Sequence, residues 1–301
     1  MSCFFPVVIF CYNRPVHLQK TIEALLKNEG AGETDIYIFS DGCRGEQDKP
    51  AVEQVRKVIN NVSGFKKVIV QESEENRGLA ASIINGVTKV LESHDACIVL
   101  EDDLETSPFF LNFMNKGLEE YASDKEIFSI SGYCPPISIP ANYPYEAFRF
   151  PRINSWGWGT WRDRWQLVDW EVKNFNSFIS SPDKIKELEK QGRDLPVMLL
   201  KQHQGEIGSW AVRFNQACFE ASKSNIYPVK SFVRNIGIDG SGTHMDKSGK
   251  YAVSLSEKNL NPAPATTDNL ISQAFRRFYL PSLFRQTINK IKIARYLNSI
   301  R

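Results

Sequence analysis

Short, continuous apolar runs alternate with amphipathic stretches over the first 130 residues. Ala96-Cys97-Ile98-Val99-Leu100 reads as a strand buried on both faces, Pro6-Val7-Val8-Ile9-Phe10 as a buried strand, and Ile36-Tyr37-Ile38-Phe39 and Val68-Ile69-Val70 as two further strands. Between them, Leu18, Ile22, Leu25 and Leu26 fall at i, i+4, i+7 and i+8, the stripe of an amphipathic helix. Val52, Val55 and Ile59 mark a second helix, and Leu79, Ile83, Val87 and Val90 or Leu91 a third. This β-α-β-α-β-α-β alternation predicts an α/β fold, with a mostly parallel sheet, right-handed crossovers and helices on its faces.

Beyond the fourth strand, Ser107-Pro108 reads as the start of a helix running to about Ala122, followed by a strand at Ile127-Phe128-Ser129-Ile130. Residues 133–152 hold Pro135, Pro136, Pro140, Pro144 and Pro151, which predicts a long irregular loop. Further helices are expected after Ser181-Pro182, after Asp194-Leu195-Pro196 and from Trp210 through Ala221, with a short strand at Ile226-Tyr227-Pro228-Val229. The pattern divides the chain into an α/β half (1–132), an elaborated second half of the same domain (133–245), a polar, proline-containing linker (246–268) and a tail (269–301). In the tail Phe275, Phe278, Leu283, Phe284, Ile288 and Ile291 alternate with Arg and Lys, and no acidic residue follows Asp268. A basic amphipathic segment of this kind suits the surface of an anionic membrane, a terminal helix docked on the domain, or a mobile end.

Composition narrows the picture. A chain of 301 residues with 42% apolar and 24% charged residues can bury a full core. Its formal net charge of +2 and the lack of a basic groove beside its aromatics argue against a nucleic-acid partner. Six scattered cysteines without CxxC spacing suggest a reducing, cytoplasmic setting. Neither a signal-like segment nor an apolar run of membrane-spanning length is present.

Chemistry is expected at one sheet edge. In open α/β sheets the ligand crevice lies beyond the carboxyl ends of the strands, and Arg14, Asp41 and the triplet Glu101-Asp102-Asp103 all follow such ends. Three adjacent carboxylates repel one another and lose solvation, so a hard divalent cation, Mg²⁺ or Mn²⁺, is the natural counter-charge. Neither G-x-G-x-x-G nor a P-loop is present, so a nucleotide would be held by side chains and metal. Arg14 could pair with its diphosphate and Asp41 accept from base or ribose. Residues 156–170 hold five of the six tryptophans; Trp161 and Trp165, four apart, suit a core, while Trp156 or Trp158 could wall a sugar site, since indole stacks on the apolar faces of sugars. His244, ending the glycine-rich stretch after Ile236, is a further candidate ligand.

Taken together, Ile9-Phe10-Cys11-Tyr12-Asn13-Arg14, Ser40-Asp41-Gly42, Asn76-Arg77-Gly78-Leu79-Ala80 and Leu100-Glu101-Asp102-Asp103-Leu104 resemble nucleotide-sugar glycosyltransferases of the GT-A (Rossmann-like) fold, both the family 2 group and the N-acetylglucosaminyltransferase I type. The resemblance covers roughly residues 5–245. It implies that Asp103 binds Mn²⁺, that Glu101 and Asp102 face sugar and ribose, that Asp41 meets uridine, and that Arg77 belongs to the nucleotide-sugar site. It also implies an acceptor side near Trp156, Trp158 and Trp210. The N-acetylglucosaminyltransferase I type carries paired aspartates before the tryptophan equivalent to Trp210, where this chain has Gly208-Ser209. The looser family 2 pattern makes Glu206 the preferred catalytic base and Asp239 the second choice.

The expectation is a metal-dependent, inverting transfer from a nucleotide diphosphate sugar, UDP-linked by preference, to a hydroxyl of a glycan or lipid-linked glycan. With the tail, it suggests bacterial surface polysaccharide (O-antigen or capsule) synthesis in the cytoplasm, at the inner face of the plasma membrane. A sugar-phosphate nucleotidyltransferase and a catalytically silent glycan-binding relative are the alternatives.

Overall fold

The structure is a computed structural model that describes residues 4–238 and 249–300. Eleven strands and eleven α-helices are found among those residues. The strands are β1 (Val7–Cys11), β2 (Asp35–Ser40), β3 (Lys67–Glu72), β4 (Ala96–Glu101), β5 (Leu104–Thr106), β6 (Ile127–Ser131), β7 (Ala147–Phe150), β8 (Trp158–Trp161), β9 (Ser224–Pro228), β10 (Val233–Asn235) and β11 (Ala265–Thr266). The first four helices are α1 (Pro15–Leu26), α2 (Lys49–Asn60), α3 (Leu79–Leu91) and α4 (Phe110–Glu120). Next come α5 (Arg162–Trp165), α6 (Phe175–Ile179), α7 (Pro182–Glu189), α8 (Leu195–His203) and α9 (Trp210–Glu220). The last two are α10 (Asn269–Phe278) and α11 (Leu283–Ser299).

Nine strands form one sheet in the order β11-β7-β9-β6-β8-β4-β1-β2-β3, and β5 pairs with β10 in a separate antiparallel ribbon. From β3 to β4 every neighbour is parallel, as the sequence alternation predicts. The two-faced burial expected of β4 is also present, and β1 shares it. Val7, Ile9, Ile98 and Leu100 pack with α1, α2 and α4 on one face, whereas Val8, Phe10, Cys97 and Val99 pack with α3 and α9 on the other. Alternation of side chains along each strand thus feeds two separate cores.

Several segments differ from the sequence expectation, each for a tertiary reason. The tryptophan-glycine stretch is partly a strand: β8 runs antiparallel between β4 and β6, near the middle of the sheet. Gly159 fits closely there: a Cβ would lie 3.1 Å from the Cys97 carbonyl oxygen, tighter than ordinary contact. The proline-rich stretch contains β7, which fits between Pro144 and Pro151 and pairs with β9. Of the expected linker, the described part lies against the domain: the Ser107 hydroxyl donates to the Ser256 carbonyl at 2.7 Å, and β11 adds a strand beside β7. The helix expected from Pro108 starts instead at Phe110, where the Ser107 hydroxyl accepts from the Phe109 N–H.

The tail folds as two helices. Asp268 caps α10 by accepting from the Ile271 N–H at 2.9 Å, and Ile271 and Phe275 are buried, with Phe275 stacked 4.1 Å from Phe150. On α11, Ile293, Tyr296 and Leu297 pack against the small core between α6 and α8, while Leu283 and Phe284 are 82% and 78% exposed. Among the described residues no helix is long and apolar enough to cross a membrane.

Candidate active site

The order of strands reverses at β1, which lies between β2 and β4, and this is where a parallel sheet opens a crevice. A cavity of about 530 Å³ occupies it. Its floor follows the sheet edge from β2 through β1, β4 and β8 to β6, at about 4.8 Å per strand. Asp41 and Arg44 stand beyond β2, Tyr12 and Arg14 beyond β1, and Glu101, Asp102 and Asp103 at the end of β4. Trp156 precedes β8 and Tyr133 follows β6, so both reach the same edge.

Two members of the acidic triplet, Asp102 and Asp103, share one cation. Arg14 donates to Asp102 through one arm of its guanidinium and to Asp103 Oδ2 at 2.9 Å through the other. Burial works against the Arg14 charge, but Asp102 and Asp103 outweigh it and hold the guanidinium above its usual range. Asp102 also accepts from the Tyr12 N–H at 3.3 Å; burial nonetheless raises its carboxyl to about 6, against the pull of Arg14. Glu101 has neither a hydrogen bond nor an ion pair among the described residues, and burial, Asp103 and Asp102 together push it up to about 8. Asp103 Oδ1 is buried and has no hydrogen-bond partner among the described residues. Backbone closes over the cluster at Gly237, where a Cβ would sit 2.4 Å from Asp103 Oδ2 and 2.8 Å from Arg14 Nη1.

This arrangement suits a divalent cation that arrives with its ligand. No group of three or more His, Cys, Asp or Glu is preassembled as a cage among the described residues. A hard cation that keeps waters and takes one or two carboxylates plus phosphate oxygens needs no cage. Asp103 Oδ1, in a cluster with three carboxylates and one guanidinium, would supply the carboxylate.

Asp41 is engaged differently. Its Oδ1 accepts from the N–H groups of Gly42 and Arg77, at 3.0 and 2.8 Å; its Oδ2 accepts from the Gly78 N–H at 2.9 Å and the Asn76 side-chain amide at 3.0 Å. Four donors occupy the usual acceptor directions of a carboxylate. Asp41 therefore clamps the β2 loop to the start of α3, where Gly78 takes φ +76°. Arg77 contributes that backbone donor, and its exposed side chain is not on the cavity wall. Around Asp41 stand Tyr12 and Asn76 from the quoted motifs, with Arg44 and Asp48, which the sequence reading did not single out. Arg44 donates to Asn76 at 3.3 Å and lies 5.5 Å from the centre of the Tyr12 ring, whose hydroxyl donates to Asp48 at 2.6 Å.

The tryptophans divide. Trp156 is half-buried on the cavity wall, perpendicular to Tyr133 and Tyr251. Trp210 lines the cavity as well. Trp158, expected as a possible wall, is 1% exposed and sandwiched between Trp165 and Trp210 in the core. Its place on β8 turns it away from the crevice. Glu206 lies on the loop before α9, whose next residues, Ile207, Gly208 and Ser209, line the cavity. Its own carboxylate is exposed, outside the cavity lining, 3.5 Å from Lys292 of α11. Asp239 and His244 lie outside the described residues.

Comparison with known proteins finds one family model and several loosely similar structures. Residues 7–136, which carry β1 to β6, match the family model described as Glycosyl transferase family 2. Among solved structures, S. aureus TarS aligns at 13% identity and a TM-score of 0.39, over 76% of this chain and 36% of TarS. A TarS structure of residues 1–349 aligns at 14% identity and 0.42, over 78% of this chain and 61% of that one. The mannosyltransferase PcManGT from Pyrobaculum calidifontis, in complex with GDP-Man and Mn²⁺, aligns at 11% identity and 0.36, over 52% of this chain and 44% of its own. The chain thus spans less than two thirds of each of these structures, and superpositions below 0.5 are too loose to carry a substrate across.

Proposed function

We propose, from the match of residues 7–136 to the Glycosyl transferase family 2 model, that the protein transfers a sugar from a nucleotide diphosphate sugar to a hydroxyl of a glycan or lipid-linked glycan, with inversion. The observation that carries the reading is the buried, under-compensated acidic cluster where β1 meets β4, with Asp103 Oδ1 left without a hydrogen-bond partner among the described residues. In this reading Asp103 holds Mn²⁺ or Mg²⁺ together with the diphosphate. A bound cation offsets charge that builds on the leaving diphosphate. Arg14 keeps Asp102 and Asp103 in place and adds positive charge beside the phosphates. The nucleoside lies over β1 and β2, between Tyr12, Arg44 and Asn76, with uridine the preferred base. Asp41 shapes that pocket, and Glu101 and Asp102 face sugar and ribose.

The acceptor approaches from the β8 and β6 side, opposite the leaving group. Its hydroxyl oxygen bonds to the anomeric carbon as the bond to diphosphate breaks, and its proton passes to a carboxylate. Glu206 fills that role only if its loop turns it inward from Lys292. Asp239 is the second candidate for the base role. The exposed Leu283 and Phe284 beside Arg285 on α11 suit contact with an anionic membrane surface, consistent with lipid-linked polysaccharide synthesis on the cytoplasmic face.

A thermal-shift series tests this. A UDP- or GDP-sugar should raise the melting temperature only when Mn²⁺ or Mg²⁺ is present, and Asp103→Asn should lose that rise while folding normally. A metal-independent rise, or one retained in Asp103→Asn, would remove the assignment. Pyrophosphate release from a nucleoside triphosphate and a sugar phosphate would point to nucleotidyl transfer instead.

A further inference from the structure

The nine-stranded sheet ends on one side in β11, two residues long, and on the other in β3, six residues long. Among the described residues β3 has no strand neighbour on its outer side. Every second N–H and C=O along such an edge faces outward, a template for another strand. Its side chains do little to hide it. Ile69 and Val70 are 36% and 37% exposed. Lys66, just before the strand, and Lys67 are exposed and make no ion pair among the described residues. Glu72 belongs to the α2 face of the sheet, where Arg56 meets it at 3.3 Å, and Gln71 to the α3 face, where it accepts from Lys89 at 2.7 Å.

Lysines on an edge ordinarily repel a second strand. Against a copy of this same strand they attract it. Opposed side chains of an antiparallel pair share a face, so a two-fold axis brings together positions that already share a face in one copy. With Ile69 opposite the Ile69 of a second copy, Val68 meets Val70, Lys67 meets Gln71 and Lys66 meets Glu72, and each of these last three contacts is made twice. Centred on Val70 instead, the pairing sets Val68 against Glu72 and Ile69 against Gln71; centred on Val68, it sets Lys66 against Val70 and Lys67 against Ile69. Of the three registers, the one centred on Ile69 matches apolar with apolar and Lys with Glu or Gln, the cross-strand pairs that stabilise a sheet. Strand direction reverses between the copies, so their crevices open at opposite edges of the joined sheet and neither obstructs the other.

We propose that β3 is a self-association surface: it pairs antiparallel with β3 of a second copy of this chain, Ile69 on the two-fold axis, and joins two nine-stranded sheets into one. The pairing is independent of the transferase reading. One strand pair buries less than the roughly 1,200 Å² of a stable interface, so the dimer is weak and concentration-dependent. In sedimentation equilibrium the mass should rise from one copy to two as concentration approaches about 0.5 mM, and stop there because each copy has spent its free edge. Lys66→Glu and Glu72→Lys each set like charges opposite one another and should weaken association about tenfold or more. An equimolar mixture of the two variants should associate again, since every opposed pair is then Glu with Lys. Ile69→Cys should cross-link to a covalent dimer in oxidised glutathione, its facing Cα atoms being about 4.5–5.5 Å apart. Lys67→Cys, about 13 Å from its own copy, should not. Circular dichroism melts check that each variant folds, and the cysteine pair stays informative if Glu72→Lys, which loses Arg56, does not. A single-copy mass at every concentration, growth past two copies, folded variants whose mixture stays monomeric, or equal cross-linking at positions 69 and 67 would overturn the proposal.

Discussion

Replacing Glu101 with Gln should stabilise the metal-free protein, and only above a definite pH. The Glu101 side chain at the end of β4 has no partner among the described residues, and burial beside Asp103 and Asp102 raises its carboxyl from 4.5 to about 8. Between those values the folded chain holds a proton that the unfolded chain has released. Stability contributed by that proton is complete below 4.5 and is lost as pH rises through about 8. At 1.36 kcal/mol per pKa step, the full difference sets a ceiling of about 5 kcal/mol. Part of Glu101 faces the open cavity and the repulsion is shared among three carboxylates, so about 1–3 kcal/mol is the working expectation. For a chain of this size that is a rise of roughly 2–6 °C in melting temperature. The assay is a series of melts from pH 5 to 9 in chelator, comparing wild type with Glu101→Gln. The gain should be near zero at pH 5 and largest at pH 9. A gain independent of pH, or a variant less stable at pH 9, would refute the account of an under-compensated cluster.

Other outcomes follow from the same geometry. Asp103→Asn should lower transfer at least about 100-fold, as loss of a positioned electrostatic group does elsewhere, measured by nucleoside diphosphate release. Asp41→Ala leaves the Gly42, Arg77 and Gly78 N–H groups without this acceptor, two of them at the start of α3, and should cost about 2–4 kcal/mol in denaturant unfolding. Gly237→Ala drives a methyl group into Asp103 and Arg14, so nucleotide-sugar affinity measured by calorimetry should fall while the melting temperature moves little. Phe275→Ala empties a fully buried site on α10 and should cost about 3–5 kcal/mol; a smaller loss would mean the tail is only loosely attached.

Much of the first half was legible because β1, β2 and β4 announce themselves as apolar runs that end on polar residues. The sheet edge, the acidic cluster and Arg14 could be placed from that pattern. What could not be read is pairing across long sequence distances. Nothing in Trp158-Gly159-Thr160-Trp161 says that it inserts antiparallel between β4 and β6, so Trp158 looked as available to a ligand as Trp156. β7 was hidden by the prolines that flank it. Tyr251 has no local signature, since its place beside Trp156 comes from docking against residues far away in sequence. Asp41 shows the converse: position was readable, but the four donors that occupy its carboxylate were not.

The insertion of β8 bears on how the gene could be cut. β4 and β6 both fall within residues 7–136, yet the strand that joins them is supplied by residues 158–161. A fragment stopped at residue 136 would leave a slot one strand wide, with the β4 and β6 backbones facing each other across about 10 Å and no hydrogen-bond partner between. Chimeras that exchange donor halves between relatives should therefore place their junction after Trp165, carrying the plug along with the sheet it fills.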